Sequence, residues 1–155
     1  FGQAHEAART IQLFELAENF QALQASDGEK MSSLFRDLIE HGRNISRSDY
    51  EDMLAYRNRI RRDLSELIAG FDAIISHPAA GEAPETLSST GDSSFNSLWT
   101  LCGVPAITLP VGLSARGLPL GIQLMADYSS DLHLLKVARW FEARCPFPFS
   151  PLEEP

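Results

Sequence analysis

The chain has 155 residues, 44% of them hydrophobic and 22% charged, with 13 Lys and Arg against 21 Asp and Glu for a formal net charge of −8. That size and composition describe one globular domain, able to remove roughly 70% of its unfolded surface from water. The acidic balance argues against a nucleic-acid footprint and against attraction to anionic lipid, and no apolar run approaches the ~18 residues of a membrane span.

Two cysteines, Cys102 and Cys145, form no framework and no CxxC, so reduced thiols in a cytoplasmic protein are expected. The opening FGQAHEAART has no initiator Met, basic n-region or apolar h-region. It is not read as a signal peptide, and a proteolytic product or partial chain is the simpler expectation.

In chain order, residues 4–25 predict a helix. Ala7, Ile11, Phe14 and Ala17 form one stripe, widened by Leu13, Leu16, Phe20 and Leu23, and Ser26-Asp27-Gly28 breaks it. Residues 31–41 predict a second helix through Leu34, Phe35, Leu38 and Ile39, with Gly42 where a C-terminal cap belongs. A third opens at Ser48, whose spacing to Glu51 is that of a capping box, and keeps an apolar stripe from Tyr50 to Ile68 before Gly70. Its four arginines, Arg57, Arg59, Arg61 and Arg62, read as a solvated helix face.

Phe71–Ser76 reads as a buried strand and residues 77–92 as a loop. Ser93 or Ser94 can cap a short helix to about Leu101. Ala106–Pro110 and Leu120–Met125 read as further strands, apolar on both faces as for a sheet covered on two sides. A last helix runs from near Ser130 to before Pro146, followed by an extended tail, Pro146–Phe149. The pattern predicts an α/β layered fold. Three strands leave unpaired edges, so further strands are expected from missing chain or from a partner.

The order of the pieces carries more information than any one of them. The helix DYEDMLAYRNRI, the stretch FDAIISHPAAGEAP, then FNSLWTLCGVPAITLPVG and GLPLGIQLMA followed by an acidic residue and Leu-Leu closely resemble the carboxy-terminal portion of the amidase signature family. The likeness is strongest over Asp49–Ala143 and looser over the first 45 residues. It divides the chain into a helical lead-in (1–47), a best-matching α/β portion (48–145) and a tail (146–155). The resemblance implies part of a mixed β-sheet flanked by helices. It also implies amide C–N hydrolysis by a serine nucleophile, a second serine and a lysine, with no cofactor and no metal.

The family's catalytic segment has no counterpart here. Its lysine ends an apolar strand, whereas Lys30 follows a break between helices and Lys136 lies inside a predicted helix. The one serine-rich loop, Ser88–Ser94, lacks the paired glycines that let backbone N–H groups approach an oxyanion. No catalytic residue is therefore assigned, and the chain alone is expected to be inactive. Scattered His5, His41 and His133 suggest no zinc site. Cys102 reads as a buried hydrophobe, and Gly103, Gly112, Gly117 and Gly121 as turns and close strand passage.

Phe95, Asn96 and Trp99 are the candidate substrate-binding residues. Asn96 and Trp99 share a helix face, and in the family this region looks onto the acyl side of the cleft. An aromatic wall with one amide suits an apolar acyl group. Alternatively, the two rings are core and Asn96 is a cap. The implied partners are a small-molecule amide and either the missing catalytic segment or a sheet-completing protein; a homodimer is compatible. Two other functions stay open. One is a non-catalytic subunit or remnant that binds a partner by its sheet edge. The other is an independent hydrolase using Ser93 or Ser94 with His77.

Overall fold

A computed structural model describes residues 2–86 and 89–147. Ser88 of the serine loop and the tail beyond Phe147 lie outside the described residues. The chain divides into two compact units, residues 1–62 and 63–155.

The first unit is helical. Helix α1 (Ala4–Asp27) passes through a short 3-10 turn (Gly28–Lys30) to α2 (Ser33–Arg43), and α3 (Arg47–Ile68) begins here. On α1 only the narrow part of the predicted stripe is buried, at Ala7, Ile11 and Ala17, while Phe20 and Leu23 stay exposed. The Ser32 hydroxyl caps α2 by accepting from the Phe35 N–H at 3.2 Å.

Two local expectations need correction. Gly42 is not a C-terminal cap but a buried residue inside α2. A Cβ there would collide with the Leu13 carbonyl oxygen and come within 2.9 Å of the Ala17 methyl, so glycine lets the two helices touch. The serine cap of α3 lies two residues earlier than expected. Ser46 Oγ accepts from the Asp49 N–H at 3.0 Å and donates to the Asp49 carboxylate at 2.7 Å. Ser46–Asp49 and Ser48–Glu51 share one spacing, and the helix starts at the first pair. Of the four arginines, Arg59 and Arg62 are exposed but Arg57 and Arg61 are half-buried.

The second unit holds the last turns of α3, a sheet and two helices. Strands β1 (Ile74–Ser76), β2 (Ala106–Leu113) and β3 (Pro119–Met125) pair antiparallel in the order β1-β3-β2. Helix α4 (Ser94–Cys102) links β1 to β2, and α5 (Asp131–Glu142) follows β3. Thr108 lies opposite Gln123 and Ile75 opposite Leu124 in the register. β2 is longer than expected because its hairpin with β3 continues past a bulge between Pro110 and Gly112. Proline and bulge both belong on an edge strand, where one side of the ladder needs no donor. β1 is shorter than expected, only three residues.

Alternation along β3 sorts its side chains between two layers. Leu124 and Ala126 pack with Leu109, Leu134 and Ala138 into a core beneath α5. Gln123 and Met125 face the other way, where the Gln123 amide meets α4. Helices thus flank the sheet on both sides, as the sequence pattern required. Cover is incomplete, however: Phe71, Ile75 and Trp140 remain exposed beside β1, although this strand was expected to be buried.

Candidate functional site

Helix α4 begins where Asp92 Oδ1 accepts from the Ser94 N–H at 2.8 Å, so the capping oxygen comes from a carboxylate and not from Ser93 or Ser94. It stops at Gly103, whose φ of 64° is the left-handed conformation that glycine adopts without strain. The Val104 N–H then closes back on the Trp99 carbonyl at 3.2 Å. These two ends fix which way the three candidate side chains leave the helix.

Asn96 and Trp99 line a cavity of about 570 Å³ together with Val104, Gln123, Tyr128 and Asp131. Phe95 is not among its lining residues; its ring meets the edge of His77, with centroids 5.9 Å apart. The structure therefore brings two of the three candidates together and places the third beside the β1–α4 loop.

Asn96 is held on both sides. Its Nδ2 donates to the Pro78 carbonyl at 3.1 Å, and its Oδ1 accepts from Gln123 Nε2 at 3.1 Å. A carbonyl can only accept, so the first bond fixes the orientation of the Asn96 amide, and that orientation fixes Gln123 in turn. The result leaves Gln123 Oε1, on a side chain 95% removed from solvent, enclosed without a partner among the described residues, as is Trp99 Nε1. Two residues that line the cavity thus each carry one enclosed polar atom without a partner among the described residues. No lysine or histidine is among its described lining residues, whereas Tyr128, Ser129 and Asp131 are.

Gln123 was not singled out from sequence. The signal was present: it is the one polar residue in the apolar strand PLGIQLM, and burial of an amide demands partners.

The other candidates are scattered. Lys30 pairs with Asp27 at 2.5 Å, and Lys136 sits on α5 beside an apolar groove of about 510 Å³ that Phe71, Ile75 and Trp140 also line. The Ser93 carbonyl accepts from Asn96 N at 2.9 Å and Ser97 Oγ at 3.2 Å, which puts Ser93 to use in the helix start.

A charged cluster joins the β1–α4 loop to the β2–β3 turn. Arg116 Nε donates to Glu82 and Arg116 Nη1 to Glu85, while Ser114 Oγ donates to the second oxygen of Glu82. The Ser114 hydroxyl, helped by Arg116, holds the Glu82 carboxyl below its usual range against a smaller effect of burial.

A sequence model of the Amidase family matches residues 4–135. A mitochondrial glutamyl-tRNA(Gln) amidotransferase subunit from Macaca fascicularis is 30% identical over 140 residues, covering 77% of this chain and 26% of that protein. A crystal structure of an amidase superposes with a TM-score of 0.81 at 24% identity, covering 92% of this chain and 35% of its own. A bacterial aryl acylamidase of the amidase signature enzymes gives a TM-score of 0.73 at 18% identity, covering 94% and 34%. These superpositions show a shared fold. The chain spans about a quarter of the length of the curated relatives it matches. Running from the first turn of α1 into α5, the family match makes this chain a member of the Amidase family.

Proposed function

We propose that residues 1–155 supply part of the sheet and one wall of the acyl pocket of an amidase, and that its serine nucleophile, second serine and lysine lie on chain outside these residues. In that enzyme the serine oxygen attacks the carboxamide carbon while the second serine and the lysine relay its proton. The C–N bond breaks as the proton reaches the leaving nitrogen, and water then hydrolyses the acyl-enzyme. The cavity beside α4 carries the proposal. It combines the Trp99 indole and Val104 with the amides of Asn96 and Gln123, and no lysine is among its described lining residues.

Two measurements test this. The purified chain should not release aniline from an aryl amide above the buffer rate, and serine-dependent turnover would refute the assignment. In a chimaera where residues 1–155 replace the matching part of a related amidase, Trp99→Ala should raise KM for apolar acyl groups about tenfold, the loss of one large buried apolar contact. An unchanged KM would remove Trp99 from the pocket.

One observation favours a second function, a non-catalytic partner-binding protein: among the described residues β1 pairs on one side only, and it exposes Ile75 beside Phe71 and Trp140. Stable assembly with an unrelated protein, measured by size in solution, would favour it over the amidase assignment.

A further inference from the structure

The β1–α4 loop is attached to its surroundings at two places. Near its start, the Pro78 carbonyl receives the Asn96 amide and the His77 ring meets Phe95. Further on, both oxygens of Glu82 are taken by the β2–β3 turn, one by Arg116 and one by Ser114, and Arg116 also reaches Glu85. The residues joined lie 31 to 34 positions apart in sequence. Ser114 is itself fixed, since its hydroxyl accepts from the Arg116 N–H at 3.2 Å and the Leu118 N–H at 3.3 Å. The turn is closed by the Ser114 N–H to the Leu118 carbonyl at 2.8 Å, with Gly117 at a φ of 79°.

An isolated exposed ion pair contributes little. This cluster differs because one guanidinium spans two carboxylates with separate nitrogens, a geometry that lysine cannot copy, and because Glu82 is only 24% exposed. Four residue steps from Pro78 to Glu82 span at most roughly 14 Å. Tying Glu82 down therefore restricts where the Pro78 carbonyl can be.

We propose that Arg116 is a positioning residue: by clipping Glu82 and Glu85 to the β2–β3 turn it sets the Pro78 carbonyl and the His77 ring against Asn96 and Phe95. Only its consequence for substrate rests on the proposed acyl pocket; the clip itself does not. The charged groups of the cluster are Glu82, Glu85 and Arg116. Opening the clip with acid requires a proton on Glu82, both of whose oxygens it uses. Glu82 is held below its usual range, so the clip is complete at neutral pH and is lost as pH falls through that lowered value.

The experiment is ¹⁵N relaxation on the intact chain, read as order parameters for residues 79–86 together with the side-chain amide signals of Asn96 and Gln123. In the wild type at pH 7 the loop should hold order parameters near 0.85. Arg116→Ala should drop them below about 0.6 and shift or broaden both amide signals, with α5 unchanged. Arg116→Lys should recover only part of the order, having one point charge for two carboxylates. Glu82→Gln, which preserves shape, should reproduce the loosening and decides the matter if Arg116→Ala fails to fold. Lowering the pH through the depressed Glu82 range should loosen the wild type and leave Arg116→Ala where it was. Unchanged order in 79–86, or changes confined to residues 114–118, would overturn the proposal. A failed Trp99 test in the chimaera would leave these signals untouched, so the two claims fail separately.

Discussion

At the scale of single residues, the direction of one amide decides the polarity of the candidate site. Pro78 offers a lone acceptor, Asn96 turns its Nδ2 toward it, and Gln123 must then give Nε2 to Asn96. Asn96→Leu keeps volume but leaves the Pro78 carbonyl and Gln123 Nε2 unpaired in a partly buried place. Each orphaned group costs about 1–3 kcal/mol. Denaturation followed by tryptophan fluorescence reports the second unit alone, because Trp99 and Trp140 both lie in it. The midpoint should fall accordingly; a loss below about 0.5 kcal/mol would show that the relay contributes nothing. Asn96 and Trp99 were legible as neighbours because helical spacing dictates a shared face. The hydrogen-bond partners of the Asn96 side chain were not, because those belong to residues 18 and 27 positions away. Phe95 shows the limit of the same logic: one residue from Asn96 on a helix means a different direction, and its ring ends at His77.

At the scale of elements, the sequence located the five α-helices and three strands of the described residues to within a few residues, and the errors fall where two signals compete. Gly42 sits near the end of α2, and a glycine there serves a cap or a close helix contact equally well; only the position of Leu13 decides. At α3 the stretch ISRSDYE contains two interleaved boxes, Ser46–Asp49 and Ser48–Glu51. The side-chain bonds belong to the first. Ser46→Ala should therefore cost about 1 kcal/mol of helix stability, while Ser48→Ala stays within about 0.5 kcal/mol. Far-UV circular dichroism during thermal unfolding compares the two, and equal losses would return the cap to Ser48. The run Phe71–Ser76 is twice the length of β1 because apolar content reports burial, not pairing. Phe71 is apolar yet 69% exposed, and β3 reaches only as far as Ile74.

At the scale of the whole molecule, a three-stranded sheet flanked by helices was legible from the alternation of apolar runs and breaks, but the unfinished surface was not legible as a location. It lies where β1, among the described residues, has a strand neighbour on one side only and where Phe71, Ile75 and Trp140 share a groove with Lys136. Exposed apolar surface at a free strand edge favours association. Under the proposed function, that groove is where the rest of an amidase would seat. Ile75→Lys places a charge in the lining of the groove without touching the core, because Ile75 is 59% exposed. Its unfolding midpoint should stay within about 0.5 kcal/mol of the wild type. Sedimentation velocity should show concentration-dependent association of the wild-type chain and monomer for Ile75→Lys at every concentration. A wild type that stays monomeric throughout would deny the groove any role as an interface. Association that survives Ile75→Lys would place the contact elsewhere on the chain.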